Sequence, residues 1–379
     1  MNKTKRRVLF LTNIPSPYRV DFFNELGKRC ELTVLFERKS SDDRDSHWHS
    51  HKFINFKSIF LKGIKKGSNK ALCPGVIKYL RKDLYDLIII GGYATPTGML
   101  AINYMNFKRI PFVLNTDGGI INKNENPFKV SIKKYFISKA SYWLSTGIAT
   151  TSYLEHYGAD IRKTFVYPFT TLLYEDILNT PLRKEEKKNI KKKLNIVEEK
   201  VILSVGQYTH RKGFDILLNA GKEFPENVGV YIIGGTPTED YLELKNRLGL
   251  KNVHFVDFIS KEELKEYYML SDIFVLPTRE DIWGLVVNEA MAYGLPVITT
   301  DKCIAGLELV ENYKNGVIIP VNDSKILSKV VNELIEDSSL LKSMSQNNLK
   351  KIEKYTIENM AQEHIDIFNC ILDKRNNTI

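Results

Sequence analysis

The sequence predicts an α/β protein built from two doubly wound Rossmann-like domains. Its 379 residues exceed what one ordinary core needs, so two domains are expected. Short apolar segments alternate with longer amphipathic segments, which is typical of βαβ units in a parallel sheet. A charged tract, RKEEKKNIKKK at 183–193, interrupts the alternation once, and the alternation then restarts.

In the first domain, apolar runs predict strands and amphipathic runs predict helices. The predicted strands are Val8–Asn13, Leu32–Phe36, Leu87–Ile90 and Phe112–Asn115. The predicted helices are Tyr18–Leu26, Gly98–Tyr104 and Phe128–Ser138. Because Thr12 and Asn13 interrupt the first apolar run and no small-residue cleavage site follows, a buried strand is favoured there over a signal peptide.

The second domain repeats this pattern. Its predicted strands are Val201–Gly206, Val228–Gly235, Val253–Phe258, Ile273–Leu276 and Pro296–Thr300. The expected boundaries are a first domain at 1–172, a charged linker at 173–196, a second domain at 197–355, and a C-terminal helix at 356–379 that could pack back on the first domain. Two such domains are expected to face each other across a cleft, with strand carboxyl ends toward it.

Several classes of protein are disfavoured by what the sequence lacks. No G-x-G-x-x-G follows the first strand of either domain, which argues against a nicotinamide or flavin enzyme, and no P-loop motif is present. The four cysteines are widely spaced, which fits a reducing cytoplasm better than a disulfide framework or a metal site: Cys30, Cys73, Cys303 and Cys370. No apolar run is long enough to span a bilayer.

The net charge of +10 is confined to the start of the chain. Residues 1–80 hold 17 Lys+Arg and 7 Asp+Glu, and the rest of the chain is neutral. The segment LKGIKKGSNK, 61–70, mixes apolar residues with four lysines: Lys62, Lys65, Lys66 and Lys70. This mixture favours an anionic membrane surface as a partner, so peripheral attachment at the inner face of the cell membrane is expected. A solubilising charged face is the alternative. Nothing resembles a base-reading element, so nucleic acid is not an expected partner.

Two βα connections in the second domain carry groups suited to a nucleotide. In GQYTHRKG, 206–213, Gly206 allows close backbone approach and Lys212 places an ammonium near a helix start, which would suit a diphosphate. The alternative is an ordinary basic loop. In DIWGLVVNEAMAYGLPV, 281–297, amides of Gly284–Val286 would face an anion.

Two carboxylates accompany that second connection. Glu289 lies one turn inside the helix and could accept hydrogen bonds from paired hydroxyls such as those of a ribose. Asp281 lies in the preceding loop, where helix capping is an alternative role.

Together these segments resemble the retaining GT-B glycosyltransferases of family four, which usually read G-R-L-x-x-x-K-G and E-G-F-G-L-V-x-x-E-A-M-A-x-G-x-P-V. The resemblance covers both domains in layout and is motif-specific over about Val201–Val321. It implies Lys212, Asp281 and Glu289 as catalytic-site residues, with Asp281 on the transferred sugar. It also implies a nucleotide-diphosphate sugar as substrate, retention of configuration and no required metal or other cofactor. The expected donor-binding residues are Gly206, Gln207, Arg211, Lys212, Ile259, Gly284, Leu285, Val286 and Glu289.

The chain departs from the family pattern in several places. Gln207 replaces the usual arginine, and Arg211 could supply that charge. Asp281 replaces the usual glutamate and is one methylene shorter. The histidine that many members carry after the fourth strand is absent, and Asp117 is the nearest candidate.

The first domain is expected to bind the acceptor through Tyr18, Arg19 and Asp117. Tyr18 and Arg19 follow the first strand and would face the cleft. The alternative is that the prolines only shape a turn and that Arg19 is solvated. His47, His49 and His51 alternate as metal ligands can, but an acceptor-contacting loop is favoured over a metal site.

The sequence therefore predicts a glycosyltransferase that acts on a glycan or lipid-linked acceptor in cell-surface polysaccharide or glycolipid synthesis. Two alternatives are a sugar-nucleotide epimerase or hydrolase on the same scaffold, and a non-catalytic subunit. The first lacks an evident acid–base pair in the first domain. Retention of Lys212, Asp281 and Glu289 argues against the second.

Overall fold

The computed structural model describes residues 5–39, 52–66, 70–122 and 124–376. The chain divides into two compact units, unit 1 formed by 1–171 with 356–379, and unit 2 formed by 172–355. The sequence placed the corresponding boundaries at 172/173 and 355/356, with 173–196 as a separate linker.

Unit 1 is built on a seven-stranded parallel sheet. Its strands in chain order are β1 (Arg7–Thr12), β2 (Glu31–Phe36), β3 (Lys57–Phe60), β6 (Leu87–Ile90), β7 (Val113–Asn115), β8 (Tyr142–Ser145) and β9 (Thr164–Val166), with an antiparallel hairpin of β4 (Ile64–Lys66) and β5 (Lys70–Leu72) between β3 and β6. The sheet order is β3-β2-β1-β6-β7-β8-β9. Every residue of β6 is buried, as expected for a parallel strand covered by helices on both faces.

Among the described residues of unit 1, five α-helices complete the unit. They are α1 (Pro17–Gly27), α2 (Pro96–Phe107), α3 (Pro127–Ile137), α4 (Ile148–His156) and α13 (Ile357–Asn376). Helix α13 packs against α1, where the ring of the fully buried His364 lies 4.7 Å from that of Phe22. This packing joins the C-terminal segment to unit 1.

Unit 2 is built on a six-stranded parallel sheet. Its strands are β10 (Lys200–Val205), β11 (Val228–Ile233), β12 (Val253–Val256), β13 (Ile273–Leu276), β14 (Val297–Thr300) and β15 (Gly316–Ile319), in the order β12-β11-β10-β13-β14-β15. Its helices are α5 (Lys184–Lys193), α6 (Phe214–Gly221), α7 (Glu239–Leu248), α8 (Lys261–Leu270), α9 (Leu285–Ala292), α10 (Ile304–Leu309), α11 (Ser324–Glu336) and α12 (Ser338–Ile352). The predicted fold class of two doubly wound α/β domains is confirmed.

The lysine-rich tract forms helix α5 and packs on unit 2. Lys187 Nζ lies 3.3 Å from Asp272 Oδ1, and Lys191 Nζ lies 3.9 Å from Asp272 Oδ2. Asp272 also accepts the Val201 amide at 3.0 Å, at the start of β10. The tract that was predicted as a charged linker is therefore anchored beside the central strands of its sheet.

Candidate active site

Two connections meet where the strand order of the unit 2 sheet reverses. Strands β10 and β13 are neighbours, but the chain continues from β10 to β11 on one side and from β13 to β14 on the other. The connections that leave their carboxyl ends, 206–213 and 277–284, therefore start side by side and diverge. In open parallel sheets such a reversal creates a ligand-binding crevice. Each of these two connections carries one of the two sequence motifs described above.

The connection after β10 is shaped by a glycine at each end. Gly206 has φ +153° and lies beneath a lysine side chain, since a Cβ there would be 3.1 Å from Lys212 Cε. Gly213 has φ +69°, and a Cβ there would be 2.1 Å from the carbonyl oxygen of Pro277. Glycine is required for such an approach, so the start of α6 rests against the second connection. Gln207, between them, is exposed.

An ion pair joins the two connections. Lys212 Nζ donates to Asp281 Oδ2 at 2.7 Å, and each of these side chains is only 12% exposed. Arg211 Nη1 lies 3.3 Å from the same oxygen and donates to the carbonyl oxygen of Glu280 at 2.9 Å, while 51% of its side chain stays exposed. Two cations thus converge on one carboxylate, which leaves a net positive charge where the sequence predicts a diphosphate.

A second link between the connections was missed by sequence reasoning. Arg279 donates to both carboxylate oxygens of Asp215, at 2.8 and 2.6 Å, and to the carbonyl oxygen of His210 at 2.7 Å. The Arg279 amide donates to the carbonyl oxygen of Arg211 at 2.8 Å. Such bidentate pairs fix geometry as well as adding energy. Because the partners are 64 residues apart, no local pattern signals the link.

The connection after β13 is held in place by hydrogen bonds to the segment after β14. The Asp281 amide donates to the carbonyl oxygen of Lys302 at 2.9 Å, and the Asp281 carbonyl accepts the Ile304 amide at 3.2 Å. Cys303 Sγ donates to the carbonyl oxygen of Trp283 at 3.3 Å. The backbone that carries the Asp281 carboxylate is therefore fixed on both sides.

Helix α9 begins directly after this connection. Its N-cap is Gly284, with φ +100° and no side-chain capping bond, so Asp281 does not cap the helix. A Cβ on Gly284 would be 2.8 Å from Cys303 Sγ. The first-turn amides of Leu285 and Val286 lie at the helix N-terminus, where amides and the helix dipole favour an anion.

Glu289 lies one turn inside α9 and is half-buried. Burial raises the pKa of its carboxyl, while a hydrogen bond from Tyr268 and the charges of Lys261 and Lys212 act to lower it. Tyr268 OH donates to Glu289 Oε2 at 2.9 Å. Sequence reasoning missed this tyrosine, which reads as an ordinary apolar position of α8.

Ile259 lies just after the carboxyl end of β12, two strands from β10 in the sheet. It is half-buried, whereas the neighbouring Phe258 ring is 55% exposed. That ring lies over Gly235 at the end of β11, where a Cβ would be 2.7 Å from Phe258 Cε2. The segment that contains Ile259, one of the expected donor-binding residues, thus presents an aromatic ring at the same edge of the sheet as Lys212.

In unit 1, Arg19 is buried rather than solvated, with 4% of its side chain exposed, and it forms an ion pair with Asp117. Its guanidinium lies 5.6, 5.8 and 5.9 Å from the ring centroids of Phe10, Tyr18 and Phe169. Burial acts to lower the pKa of Arg19, but the charge and hydrogen bond of Asp117, together with the neighbouring Tyr18 and Tyr167, outweigh burial and raise that pKa above its usual value.

Asp117 collects three donors at the end of β7. Besides Arg19, its Oδ1 accepts from Asn115 Nδ2 at 2.9 Å and from Tyr167 OH at 3.2 Å. The carboxylate nevertheless remains 29% exposed. The structure therefore brings the three predicted acceptor-side residues into one cluster, in which Asp117 is the partly exposed acid and Arg19 is its buried partner.

His47, His49 and His51 lie outside the described residues. Among the residues that the structure describes, no group of three or more His, Cys, Asp or Glu side chains is placed to hold a metal ion. Within the same ranges, no helix is long and apolar enough to cross a bilayer.

Residues 186–351 match the family described as Glycosyl transferases group 1. The chain is 30% identical over 196 residues to an uncharacterized glycosyltransferase of Methanocaldococcus jannaschii, which covers 50% of each protein. It is also 30% identical over 179 residues to the capsular polysaccharide biosynthesis glycosyltransferase CapM of Staphylococcus aureus, covering 45% of this chain and 46% of CapM. The chain thus spans about half the length of the curated relatives it matches.

The whole chain also resembles solved structures. Anabaena HepE, whose crystal structure was determined in complex with UDP, is 18% identical with a TM-score of 0.77, over 96% of this chain and 100% of HepE. At this identity the likeness speaks for the fold alone, and it confirms the predicted GT-B fold class.

Proposed function

We propose that this chain, whose residues 186–351 match the family glycosyl transferases group 1, is a glycosyltransferase that moves a sugar from a nucleotide diphosphate to an acceptor hydroxyl. The observation that carries the proposal is the Lys212–Asp281 ion pair at the strand-order reversal of unit 2. In this pair, the cation proposed to meet the leaving diphosphate and the carboxylate proposed to bind the sugar lie within hydrogen-bond distance of each other.

The reaction must stabilise the charge that develops on the diphosphate as the sugar–oxygen bond breaks. Lys212 and the exposed part of Arg211 supply two cations, and the first-turn amides of α9 supply further donors. Donors aimed at developing charge are each worth about 3–4 kcal/mol when they act in a fixed geometry. The bidentate, half-buried pair between Arg279 and Asp215 and the Asp281 backbone contacts provide that fixed geometry.

The two carboxylates of the site have separate roles in this proposal. Asp281, held by Lys212, binds hydroxyls of the transferred sugar, and Glu289 binds the ribose. Retention of the anomeric configuration belongs to the proposal, with the departing phosphate helping to deprotonate the acceptor hydroxyl on the same face. It needs no covalent nucleophile and no metal ion.

The acceptor side is proposed to lie at the end of β7 in unit 1. Asp117 is the partly exposed acid there, and its ion pair with Arg19 together with the Asn115 and Tyr167 hydrogen bonds fixes its position. An acceptor hydroxyl is the natural partner of such a carboxylate. The acceptor is proposed to be a glycan or a lipid-linked glycan, as the name of CapM suggests for capsular polysaccharide synthesis.

A nucleotide panel tests the proposed function. UDP, which is bound in the HepE structure, and GDP, ADP and dTDP are each added at increasing concentration while the unfolding temperature is followed. One of them is expected to stabilise the protein, by about 2.7 kcal/mol at a hundredfold excess over Kd. The matching nucleotide sugar should then release its diphosphate in the presence of acceptor, with excess chelator present.

Three outcomes contradict parts of the proposal. If none of the four diphosphates shifts the unfolding temperature, the donor site is wrong. If the sugar is released at the same rate with or without acceptor, a hydrolase is the better interpretation. If chelator abolishes turnover and a divalent ion restores it, the metal-free reaction is wrong.

Unit 1 is also proposed to bind an anionic membrane surface through the β4–β5 hairpin. Lys62, Lys65 and Lys70 are exposed, and Ile64 in the same hairpin is 76% exposed. Each lysine near an anionic lipid surface contributes about 1 kcal/mol, and the apolar side chain adds hydrophobic contact. On the same basis, we propose that the protein acts at the inner face of the cell membrane.

Co-sedimentation with phosphatidylglycerol vesicles checks the membrane proposal. Wild-type protein is expected to pellet at low salt and to be released as salt rises, whereas changing Lys62, Lys65, Lys66 and Lys70 together to glutamine should prevent pelleting. The control changes four lysines of unit 2 to glutamine: Lys222, Lys251, Lys325 and Lys329. If both variants pellet alike, the charge of the hairpin is not what binds.

A further inference from the structure

Tyr268, in the last turn of α8, is placed to act on the Glu289 carboxylate. Its side chain is 2% exposed, and its hydroxyl donates to Glu289 Oε2 at 2.9 Å. Its ring stacks on that of Tyr293 with centroids 5.4 Å apart and planes 8° apart. It also lies 6.0 Å from the ring of Phe274 in β13, at a tilted angle of 40°. The orientation of the phenol is therefore constrained by packing against two aromatic rings.

The electrostatics around Glu289 make this hydrogen bond consequential. Burial raises the pKa of the Glu289 carboxyl, and Tyr268 acts in the opposite direction, as do the charges of Lys261 on α8 and Lys212 on the first connection. Asp176, before α5, acts to raise it. Burial and the neighbouring Glu289 raise the pKa of the Tyr268 phenol well above 10. The phenol thus remains protonated and serves as a donor at any working pH.

We propose that Tyr268 is a positioning residue for donor recognition, which holds Glu289 Oε2 so that Oε1 is presented to the ribose hydroxyls. This inference rests on the proposed function, because it needs a ribonucleotide donor. Within the part of the chain that the structure describes, the Glu289 carboxylate accepts a side-chain hydrogen bond from Tyr268. A carboxylate with one oxygen fixed can rotate little, so its second oxygen has a defined direction.

Selectivity for ribose is what this arrangement would provide. A charged acceptor that has been placed to meet hydroxyls gains a strong hydrogen bond from the ribose and loses it with a deoxyribose. Without the phenol, Glu289 would be free to rotate and would bind a proton more readily. Its preference for hydroxyl donors would then weaken, most of all at lower pH.

The test uses Tyr268→Phe, which keeps the ring and its packing and removes the hydroxyl alone. Binding of UDP and of 2′-deoxy-UDP is measured by calorimetry at pH 8 and pH 6; if the panel selects another base, its ribo and 2′-deoxy diphosphates replace this pair. Wild-type protein is expected to prefer the ribonucleotide by about tenfold or more. In Tyr268→Phe the ribonucleotide should bind roughly tenfold more weakly, with the deoxy form little changed, and the loss should be larger at pH 6.

Tyr267→Phe is the matched control. Tyr267 is the preceding residue of α8, is half-buried, and has a ring contact with Tyr231 at 5.8 Å. The affinities of the Tyr267→Phe variant for both nucleotides, and its ribose preference, should equal those of the wild type. An unchanged ribose preference in Tyr268→Phe overturns the inference while leaving the proposed function standing, and so does an equal loss for both nucleotides, which would indicate a merely structural role. Wild-type protein that binds no diphosphate of the panel overturns the proposed function, and this inference falls with it.

Discussion

Replacing Lys212 with alanine is expected to lower turnover by roughly a hundredfold or more, because the substitution removes a cation from the leaving diphosphate in the transition state. The structure sharpens this expectation. Lys212 Nζ lies 2.7 Å from Asp281 Oδ2, and both side chains are 12% exposed, so the ammonium is held in place before any ligand binds. A preorganised donor needs no reorganisation during the reaction. Its loss should therefore lower the turnover rate.

Arg211 does not replace Lys212 in this role. Its guanidinium is 3.3 Å from the same Asp281 oxygen and is half exposed to solvent, where its charge is more strongly screened. Steady-state rates with saturating nucleotide sugar measure the effect. Lys191→Ala is the matched control, since Lys191 is a similarly buried lysine of unit 2 whose partner, Asp272, lies at the opposite end of the sheet from Lys212. A well-folded Lys212→Ala variant with wild-type turnover would remove Lys212 from the site.

The sequence predicted the layout of the site better than its internal contacts. The strands β6 and β13 were predicted to the residue, because both are short apolar runs bounded by turn residues. Placing Lys212 and Asp281 after neighbouring strands followed from the βαβ pattern. Their direct ion pair did not, because Asp281 was assigned to the sugar and Lys212 to the diphosphate, and no local sequence pattern relates two residues 69 positions apart.

Contacts that arise from tertiary packing could not be predicted from the sequence for the same reason. Tyr268 sits at an ordinary apolar position of an amphipathic helix, and only the fold brings its hydroxyl to Glu289. Arg19 looked like a loop arginine at a helix start, yet three aromatic rings and Asp117 surround it. The edge strand β9 was missed because Thr164–Val166 is short and half-exposed, so it has no continuous apolar pattern.

Asp281→Ala and Glu289→Ala are expected to fail in different ways. Asp281 is assigned to the sugar, which changes charge and shape as it reacts, so Asp281→Ala should lower the maximal rate by roughly a hundredfold and change the donor KM little. Glu289 is assigned to the ribose, which does not react. Its loss should therefore raise the donor KM by roughly tenfold or more, with a small effect on the maximal rate.

The Lys212–Asp281 contact adds a further test of the first of these assignments. Residues in direct contact do not contribute independently, and removing Asp281 leaves Lys212 with no carboxylate at 2.7 Å. The double variant Lys212→Ala/Asp281→Ala should consequently be slowed by clearly less than the product of the two single effects. Glu289→Ala combined with Lys212→Ala is the comparison pair, for which the two effects should come closer to multiplying, because Glu289 accepts its hydrogen bond from Tyr268 and Lys212 acts on it only through its charge. Maximal rates and donor KM values are measured for all five variants. Equal changes in both parameters for Asp281→Ala and Glu289→Ala would contradict the division of roles. Multiplicative effects in the Lys212/Asp281 pair would mean that the two side chains act on the donor separately.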